Sequence, residues 1–399
     1  MRKAETRTPL VAWLLLVALG LNLRPILGSV SPLLGEIRAA TGLSFQGTAL
    51  LTTLPVICMG LVALAAVRLE ARLGERRGVA IGLALIFGAC LARWLCDQGG
   101  ALLGTALLGG IGVALIQALV PAVIKRQFAG RVALAMGLYS ASLMSGGGLS
   151  ALLSPVLAGH FGHWQAGLGF WLVPAALAWV LWLWLPMAGS AAPRVAGGGP
   201  RLLGDRRAWT LALYFGLINC GYMSMVAWLP AFYQQLRWSP TRSGSLLAFM
   251  TVFQVLAALV MPALAQRSVD RRPLLTLCLA AQAVGFAGLV WMPQQLTLLW
   301  VALIGFGLGA CFALSLILTL DHRRDPREAG QLAAFVQGIG FLINAVSPWL
   351  TGWLREVTGS FTSAWVVLVV MVLAMLALTR VFSPASYGMA PGGEVPARA

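Results

Sequence analysis

The sequence predicts an all-α integral membrane protein in which twelve transmembrane helices form two six-helix halves. Its 399 residues are 59% hydrophobic and only 10% charged, whereas a soluble domain carries about 25% charged residues. Apolar stretches of about 20 residues recur along the chain, and each is long enough to cross the hydrocarbon core as a helix. The predicted spans are residues 9–33, 46–67, 78–96, 101–124, 132–158, 166–186, 208–232, 243–266, 274–292, 296–319, 330–354 and 361–382.

Lys and Arg residues separate to one side of this twelve-span topology. With the N-terminus inside, 22 of the 28 fall in the inner segments and Arg24 alone lies deep in a span. By the positive-inside rule, this asymmetry predicts a multi-pass protein of the cell inner membrane with both termini in the cytoplasm. Because the net charge of +16 is spread over these short loops, we expect a lipid bilayer and not nucleic acid as the partner. The five basic residues on the outer side are Arg38, Arg93, Arg237, Arg242 and Arg355.

Span 1 carries the stretch LNLRPILGSVSPLL (residues 21–34), in which a cation and two prolines interrupt an apolar helix. A charge at this depth is costly and rarely faces lipid. All twelve acidic residues lie in loops, tails or span ends, and only Glu36 could approach Arg24, if the helix ended early. An unpaired guanidinium that lines a wet cavity attracts a small anion. The alternative is a guanidinium bound to backbone carbonyls, including that of Leu21, which Pro25 frees from its helical hydrogen bond.

Polar side chains deep in the spans are further candidate substrate ligands. In hydrocarbon each needs a partner, and an interhelical hydrogen bond is the alternative to a cavity ligand. Asn22 lies about 200° around the helix from Arg24, so the two share a face only if Pro25 unwinds the helix locally. The candidates are Asn22, Gln117 in span 4, Asn219 and Tyr222 in span 7, and Gln337 in span 11.

The two halves of the sequence resemble each other at nearly one offset, which indicates a parallel internal repeat. This is a transporter architecture in which substrate binds between the halves near the bilayer midplane. The segment between the repeats is polar and rich in Gly, Ala and Pro, as is typical of a linker. We therefore expect halves 1–186 and 208–399 joined by a cytoplasmic linker, 187–207. The matching blocks are ERR (75–77) with DRR (270–272), ALLGG (106–110) with ALIGF (302–306), and SPVLAG (154–159) with SPWLTG (347–352).

The loop VRLEARLGERR (67–77) resembles the signature that the major facilitator superfamily carries between spans 2 and 3. Val67 and Ala71 stand where that signature has a glycine and an acid. The resemblance implies the major facilitator fold, with spans 1, 4, 7 and 10 innermost, and a conformational latch formed by this loop on the cytoplasmic side. The matching positions are Arg72, Gly74, Arg76 and Arg77.

Longer blocks in both halves, among them LNLRPILGSVSPLL, AWTLALYFGLINCGYMSMVAWLPAFY and QGIGFLINAVSP, resemble the cyanate permease family. This resemblance implies secondary active or facilitative transport of a small anion, cyanate or a similar monovalent species, by alternating access. The alternative with the same fold is export of a neutral nitrogen heterocycle such as a 2-nitroimidazole.

An integral-membrane enzyme is the remote alternative. It would need His, carboxylates or an activated nucleophile clustered at membrane depth, and the spans contain no such cluster. The six Cys residues are scattered singly without a CxxC pair, so no metal site or disulfide framework is predicted. We expect no catalytic residues, no cofactor and no metal, a small-molecule substrate, and a monomer.

Overall fold

A computed structural model of the chain describes residues 10–128, 131–184, 202–323 and 325–387. Within these ranges, twelve helical segments are long and apolar enough to cross a membrane, which confirms the predicted number of spans. The helices are Leu10–Leu21, Pro25–Gly28 and Leu34–Thr41 (span 1), Phe45–Leu73 (2), Glu75–Leu95 (3), Gly99–Gln127 (4), Val132–Phe161 (5), Trp164–Gly169 and Leu172–Trp184 (6), Arg206–Gln235 (7), Pro240–Ala265 (8), Arg272–Trp291 (9), Thr297–Asp321 (10), Pro326–Asn344 and Val346–Thr358 (11), and Thr362–Thr379 (12).

Spans 1–6 and spans 7–12 pack in the same pattern. Span 1 packs on span 5, span 2 on span 4, and span 3 on spans 4 and 6. In the second group, span 7 packs on span 11, span 8 on span 10, and span 9 on spans 10 and 12. This correspondence is the spatial form of the parallel repeat. The two groups meet where span 2 contacts span 11 and where span 5 contacts span 8.

Most of the predicted linker, residues 187–201, lies outside the described residues. The described part contains a 3-10 turn, Leu202–Gly204, after which span 7 begins at Arg206. Asp205 caps this helix because its carboxylate accepts the backbone N–H groups of Arg207 and Ala208, at 2.8 and 3.4 Å. Span 7 thus begins two residues before the predicted position, since the cap residue and not the apolar pattern fixes the first turn.

The two groups of spans are joined at the end of the bundle opposite to residue 10. The backbone N–H of Phe45, at the start of span 2, donates to Glu356 Oε1 near the end of span 11, at 2.8 Å. The guanidinium groups of Arg38 and Arg355 lie 3.5 and 4.9 Å from the centre of the Phe45 ring. Gln234 Nε2 donates to the Pro32 carbonyl at 2.8 Å. The Arg38 contact lies within the first group and the other three cross between the groups, and we call the four together the distal closure.

Candidate functional site

Span 1 is interrupted where the sequence places Arg24. The first helix ends at Leu21, residues 22–24 are not helical, and Pro25 is the first residue of a four-residue helix. Pro25 has no N–H to donate to the Leu21 carbonyl, and its fixed φ suits the first position of a new helix. The carbonyl of Arg24 accepts the N–H groups of Leu27 and Gly28 at 3.0 and 2.9 Å. Arg24 therefore lies at a discontinuity and not on a regular helical face.

The side chain of Arg24 lines a small cavity between the two groups of spans. Arg24 is 6% exposed, and the cavity volume is about 10 Å³, roughly the space that one water molecule needs. Spans 1, 5, 7 and 8 contribute its wall, so both halves of the chain touch it. The other lining residues are Leu27, Gly28, Gly147, Tyr222, Val226, Leu247 and Thr251.

The Arg24 guanidinium has no hydrogen-bond partner within the described part of the chain. Its Nε and Nη1 atoms are buried and unpaired, and the ion pairs formed by the described residues involve other arginines. The guanidinium carbon lies 5.2 Å from the centre of the Tyr222 ring, a cation–π distance. The buried hydroxyl of Tyr139 is also unpaired and within electrostatic range of Arg24. The pairing with the Leu21 carbonyl, predicted as an alternative, is not formed, so unsatisfied positive charge faces the cavity.

Two of the predicted ligands donate their amide hydrogens to backbone carbonyls. Asn22 Nδ2 donates to Ala18 O at 2.8 Å and to Pro174 O of span 6 at 3.2 Å. Asn219 Nδ2 donates to Phe215 O at 2.7 Å, one turn earlier in its own helix. Neither residue is part of the cavity wall. The geometry gives both side chains a structural partner, and their contact with substrate stays a prediction.

Gln117 and Gln337 also lie away from the cavity wall. Gln117 Oε1 is buried without a hydrogen-bond partner, and Gln337 is half-buried on span 11. Of the six predicted ligands, the structure therefore brings only Arg24 and Tyr222 together. Which face of a helix lines such a small cavity depends on the tilt and rotation of that helix. The polarity of its side chains does not specify either, so the other four residues could not be excluded from the sequence.

Arg93 is a functional candidate that the sequence analysis missed, because it was assigned to the outer loops. It is fully buried at 0% exposure. Its Nη1 donates to Ile26 O at 2.9 Å and its Nε to Thr105 Oγ1 at 3.1 Å. One signal was available, since Arg93 falls three residues inside the predicted boundary of span 3 and so counts as an embedded charge.

The loop motif between spans 2 and 3 packs within the first six spans. Gly74 has φ +66°, a conformation that favours glycine, and turns the chain between spans 2 and 3. Arg76 is fastened to span 6, since its Nη2 donates to Leu183 O at 3.0 Å and its own carbonyl accepts Trp182 Nε1–H at 2.9 Å. The neighbouring Glu75 is buried and forms an ion pair with Arg126 of span 4.

Arg72 and Arg77 are exposed. Within the described residues, the hydrogen bonds and the ion pair given above join this loop to spans 4 and 6. A latch between the halves therefore stays a prediction.

Comparison with known proteins agrees with this architecture. Residues 14–348 match the Major Facilitator Superfamily. The chain is 48% identical over 375 residues to the cyanate transport protein CynX of Escherichia coli (strain K12), covering 94% of this chain and 97% of that protein. It is 30% identical over 368 residues to the 2-nitroimidazole transporter of the same organism, covering 90% and 91% of the two chains.

Solved structures share the fold at low sequence identity. A point mutant of the nucleoside transporter NupG superimposes with a TM-score of 0.78 at 11% identity, covering 93% of this chain and 99% of its own. The D-xylose-proton symporter gives a TM-score of 0.72 at 18% identity, with coverage of 92% and 96%. The superfamily match, the similarity to CynX and these structural likenesses all extend over most of the chain, and the chain therefore belongs to the Major Facilitator Superfamily.

Proposed function

We propose that this protein carries a small monovalent anion, cyanate or a close analogue, across the membrane by alternating access. The observation that carries the proposal is the buried, unpaired guanidinium of Arg24 in a small cavity that both halves line. Buried N–H groups without a partner raise the free energy of the empty site. An anion that accepts these hydrogen bonds removes that cost, so the site favours negative charge.

The volume of the cavity and the side chains in its wall favour a substrate of only a few atoms. The cavity holds about 10 Å³ as it stands, and a linear three-atom anion needs a much smaller expansion than an aromatic ring. Thr251 donates its hydroxyl hydrogen to Leu247 O at 2.9 Å, so the oxygen is left as an acceptor. The remaining side-chain donors in the wall are the Arg24 guanidinium and the Tyr222 hydroxyl, and only Arg24 carries a charge that complements an anion. The name of CynX, the relative at 48% identity, favours cyanate within this class.

The coupling mode follows from the residues around the cavity. Proton-coupled carriers generally titrate a membrane-embedded acid, but none of the lining residues is Asp or Glu. Uniport, exchange, or entry of a proton on the substrate itself fits this wall better than a carboxylate relay. Opening requires the two halves to rock about the site. Arg24 would then reach each side of the membrane in turn.

Uptake of labelled cyanate into proteoliposomes tests the proposal. Wild-type protein should accumulate label above protein-free vesicles. Arg24→Ala should lower kcat/KM at least about tenfold, the effect of losing one hydrogen bond to a charged group. Arg24→Lys should retain part of the activity because it keeps the charge but loses the two-pronged donor. Arg267→Ala, at an exposed position on the inner side, is the matched control and should transport normally.

A wild type that takes up no cyanate would overturn the cargo. Equal transport by Arg24→Ala would overturn the site assignment. The second candidate cargo, a 2-nitroimidazole, is favoured only by the relative at 30% identity. Saturable movement of a labelled 2-nitroimidazole in the same vesicles, with no cyanate uptake, would make it the cargo, and Arg24 would then hydrogen-bond the nitro group.

We further propose the membrane arrangement predicted from the sequence. The halves are residues 1–186 and 208–399, the linker 187–207 and both termini are cytoplasmic, and a monomer in the inner membrane is the working unit. The 22 inner and five outer basic residues support this sidedness. We also expect the protein to act without catalytic residues, cofactor or metal.

A further inference from the structure

The short helix that follows Arg24 ends at Gly28 and leaves a second backbone carbonyl, that of Ile26, without a helical partner. In a continuous helix the N–H of Val30 would donate to the Ile26 carbonyl. Here the Val30 N–H donates to Leu27 O instead, at 3.4 Å. The Ile26 carbonyl is buried inside the bundle, where an unpaired backbone oxygen is costly.

Arg93 supplies the missing donor from span 3. Its Nη1 lies 2.9 Å from Ile26 O, and its Nε donates to Thr105 Oγ1 at 3.1 Å. The Thr105 hydroxyl in turn donates to Leu102 O at 2.6 Å, which directs its oxygen lone pairs toward Arg93. A guanidinium can satisfy both acceptors at once because its donors form a rigid fork.

This arrangement is too costly to be an ordinary packing contact. Arg93 is fully buried and its Nη2 has no partner. The ion pairs between described residues involve Arg126, Arg271, Arg272 and Arg323, and none of them involves Arg93. One of its donors, Nη1, therefore binds the four-residue helix that follows Arg24.

We propose that Arg93 is a positioning residue for the anion site. By holding the Ile26 carbonyl it fixes the helix Pro25–Gly28, and through that helix it sets the direction of the Arg24 side chain. Thr105 orients Arg93 within this chain of contacts. Loss of Arg93 would leave the Ile26 carbonyl unpaired, so the discontinuity would relax and the Arg24 guanidinium would leave its place over the Tyr222 ring.

Three variants test the inference, which rests on the proposed function. Arg93→Met removes every donor and keeps the length of the side chain, Arg93→Lys keeps the charge and one donor group, and Thr105→Val removes only the acceptor that orients Arg93. Arg323→Met is the matched control, because it removes another largely buried arginine on the inner side of span 10. Each is measured by hydrogen–deuterium exchange over residues 25–31 and by the KM and kcat of cyanate uptake.

Arg93→Met should speed exchange over residues 25–31 and raise KM about tenfold, the effect of one charge-assisted hydrogen bond, with little change in kcat. Arg93→Lys and Thr105→Val should give smaller shifts in the same direction, and Arg323→Met none. In an Arg24→Lys background the effect of Arg93→Met on KM should shrink, because Arg93 acts through Arg24 and the two changes do not add.

Exchange and KM that match the wild type in Arg93→Met would overturn the inference, as would an undiminished effect in the Arg24→Lys background. If Arg93→Met fails to fold, the Lys and Val variants test the inference by the same two measurements. A wild type that carries no cyanate overturns the proposed cargo and not this inference. The inference is then decided by hydrogen–deuterium exchange over residues 25–31 in Arg93→Met. Rates equal to those of the wild type would overturn the inference, and faster rates would support it.

Discussion

At the scale of single residues, Arg24 and Tyr222 show how a cation is kept in an apolar wall without an acid. The ring of Tyr222 presents its electron-rich face at 5.2 Å from the guanidinium carbon. A desolvated cation–π contact contributes about 2 kcal/mol. The ring stabilises the charge without neutralising it, so the N–H groups stay available to a ligand.

The ring and the hydroxyl of Tyr222 are therefore separable by substitution. Tyr222→Phe keeps the ring, and we expect a KM for cyanate close to that of the wild type. Tyr222→Leu removes the ring face and should raise KM about tenfold. The measurement is uptake at graded cyanate concentrations.

Tyr214→Phe provides the control for this pair. It loses a buried hydrogen bond of 2.7 Å to Thr379, remote from the cavity wall. It should lower thermal stability and leave KM unchanged. A rise of KM in Tyr222→Phe equal to that in Tyr222→Leu would assign the effect to the hydroxyl and contradict the cation–π account.

At the scale of elements, span 5 and the interrupted span 1 fit because Gly146 lets the two backbones touch. A Cβ at Gly146 would lie 2.3 Å from the Leu21 carbonyl oxygen, and a backbone atom cannot move aside as a flexible side chain can. Leu21 is the last residue before the discontinuity. The contact therefore fixes where the first helix of span 1 stops relative to Arg24.

Gly146→Ala should push these two helices apart. We expect a loss of about 1–3 kcal/mol in stability and a higher KM for cyanate, since Arg24 lies three residues beyond the contact. Gly159→Ala, in the same helix, is the matched control because nothing lies within 4 Å of the added Cβ. It should be neutral or stabilising. Equal melting temperatures for the two variants would contradict the role given to Gly146.

Some of these features were predictable from the sequence and others were not, for identifiable physical reasons. Pro25 indicated that the Leu21 carbonyl loses its helical hydrogen bond, because the missing N–H acts locally. Arg24 stood out because few charges lie at such depth. Tyr222 could not be separated from Asn219 by polarity, since only the packing of span 7 decides which one meets the cavity. Arg93 was missed because its role depends on a carbonyl that becomes unpaired only when span 1 breaks.

At the scale of the whole molecule, the repeat in the sequence and the repeat in the packing agree. Hydropathy and charge asymmetry predicted the twelve spans because length and apolar composition alone determine whether a helix can cross the bilayer. The contact between the halves at the distal closure was not predictable from the sequence, since it depends on helix ends such as Phe45 and Glu356 that no periodic pattern marks.

The proposed sidedness predicts which end of span 8 faces the outside. Arg242 and Arg267 lie at opposite ends of that span and both are exposed. All six native cysteines are buried, so background labelling should be low. In intact spheroplasts, Arg242→Cys should react with a membrane-impermeant thiol reagent and Arg267→Cys should react only after lysis. The reverse pattern would contradict cytoplasmic termini.

The absence of an acidic partner for Arg24 among the described residues has an electrical consequence. In the proposed cycle, an empty site carries one positive charge and a site loaded with a monovalent anion carries none. The membrane potential does work on a moving charge, about 2.3 kcal/mol per elementary charge for each 100 mV. The return of the empty carrier is therefore the voltage-dependent half of the cycle, and the loaded carrier crosses as an electrically silent species.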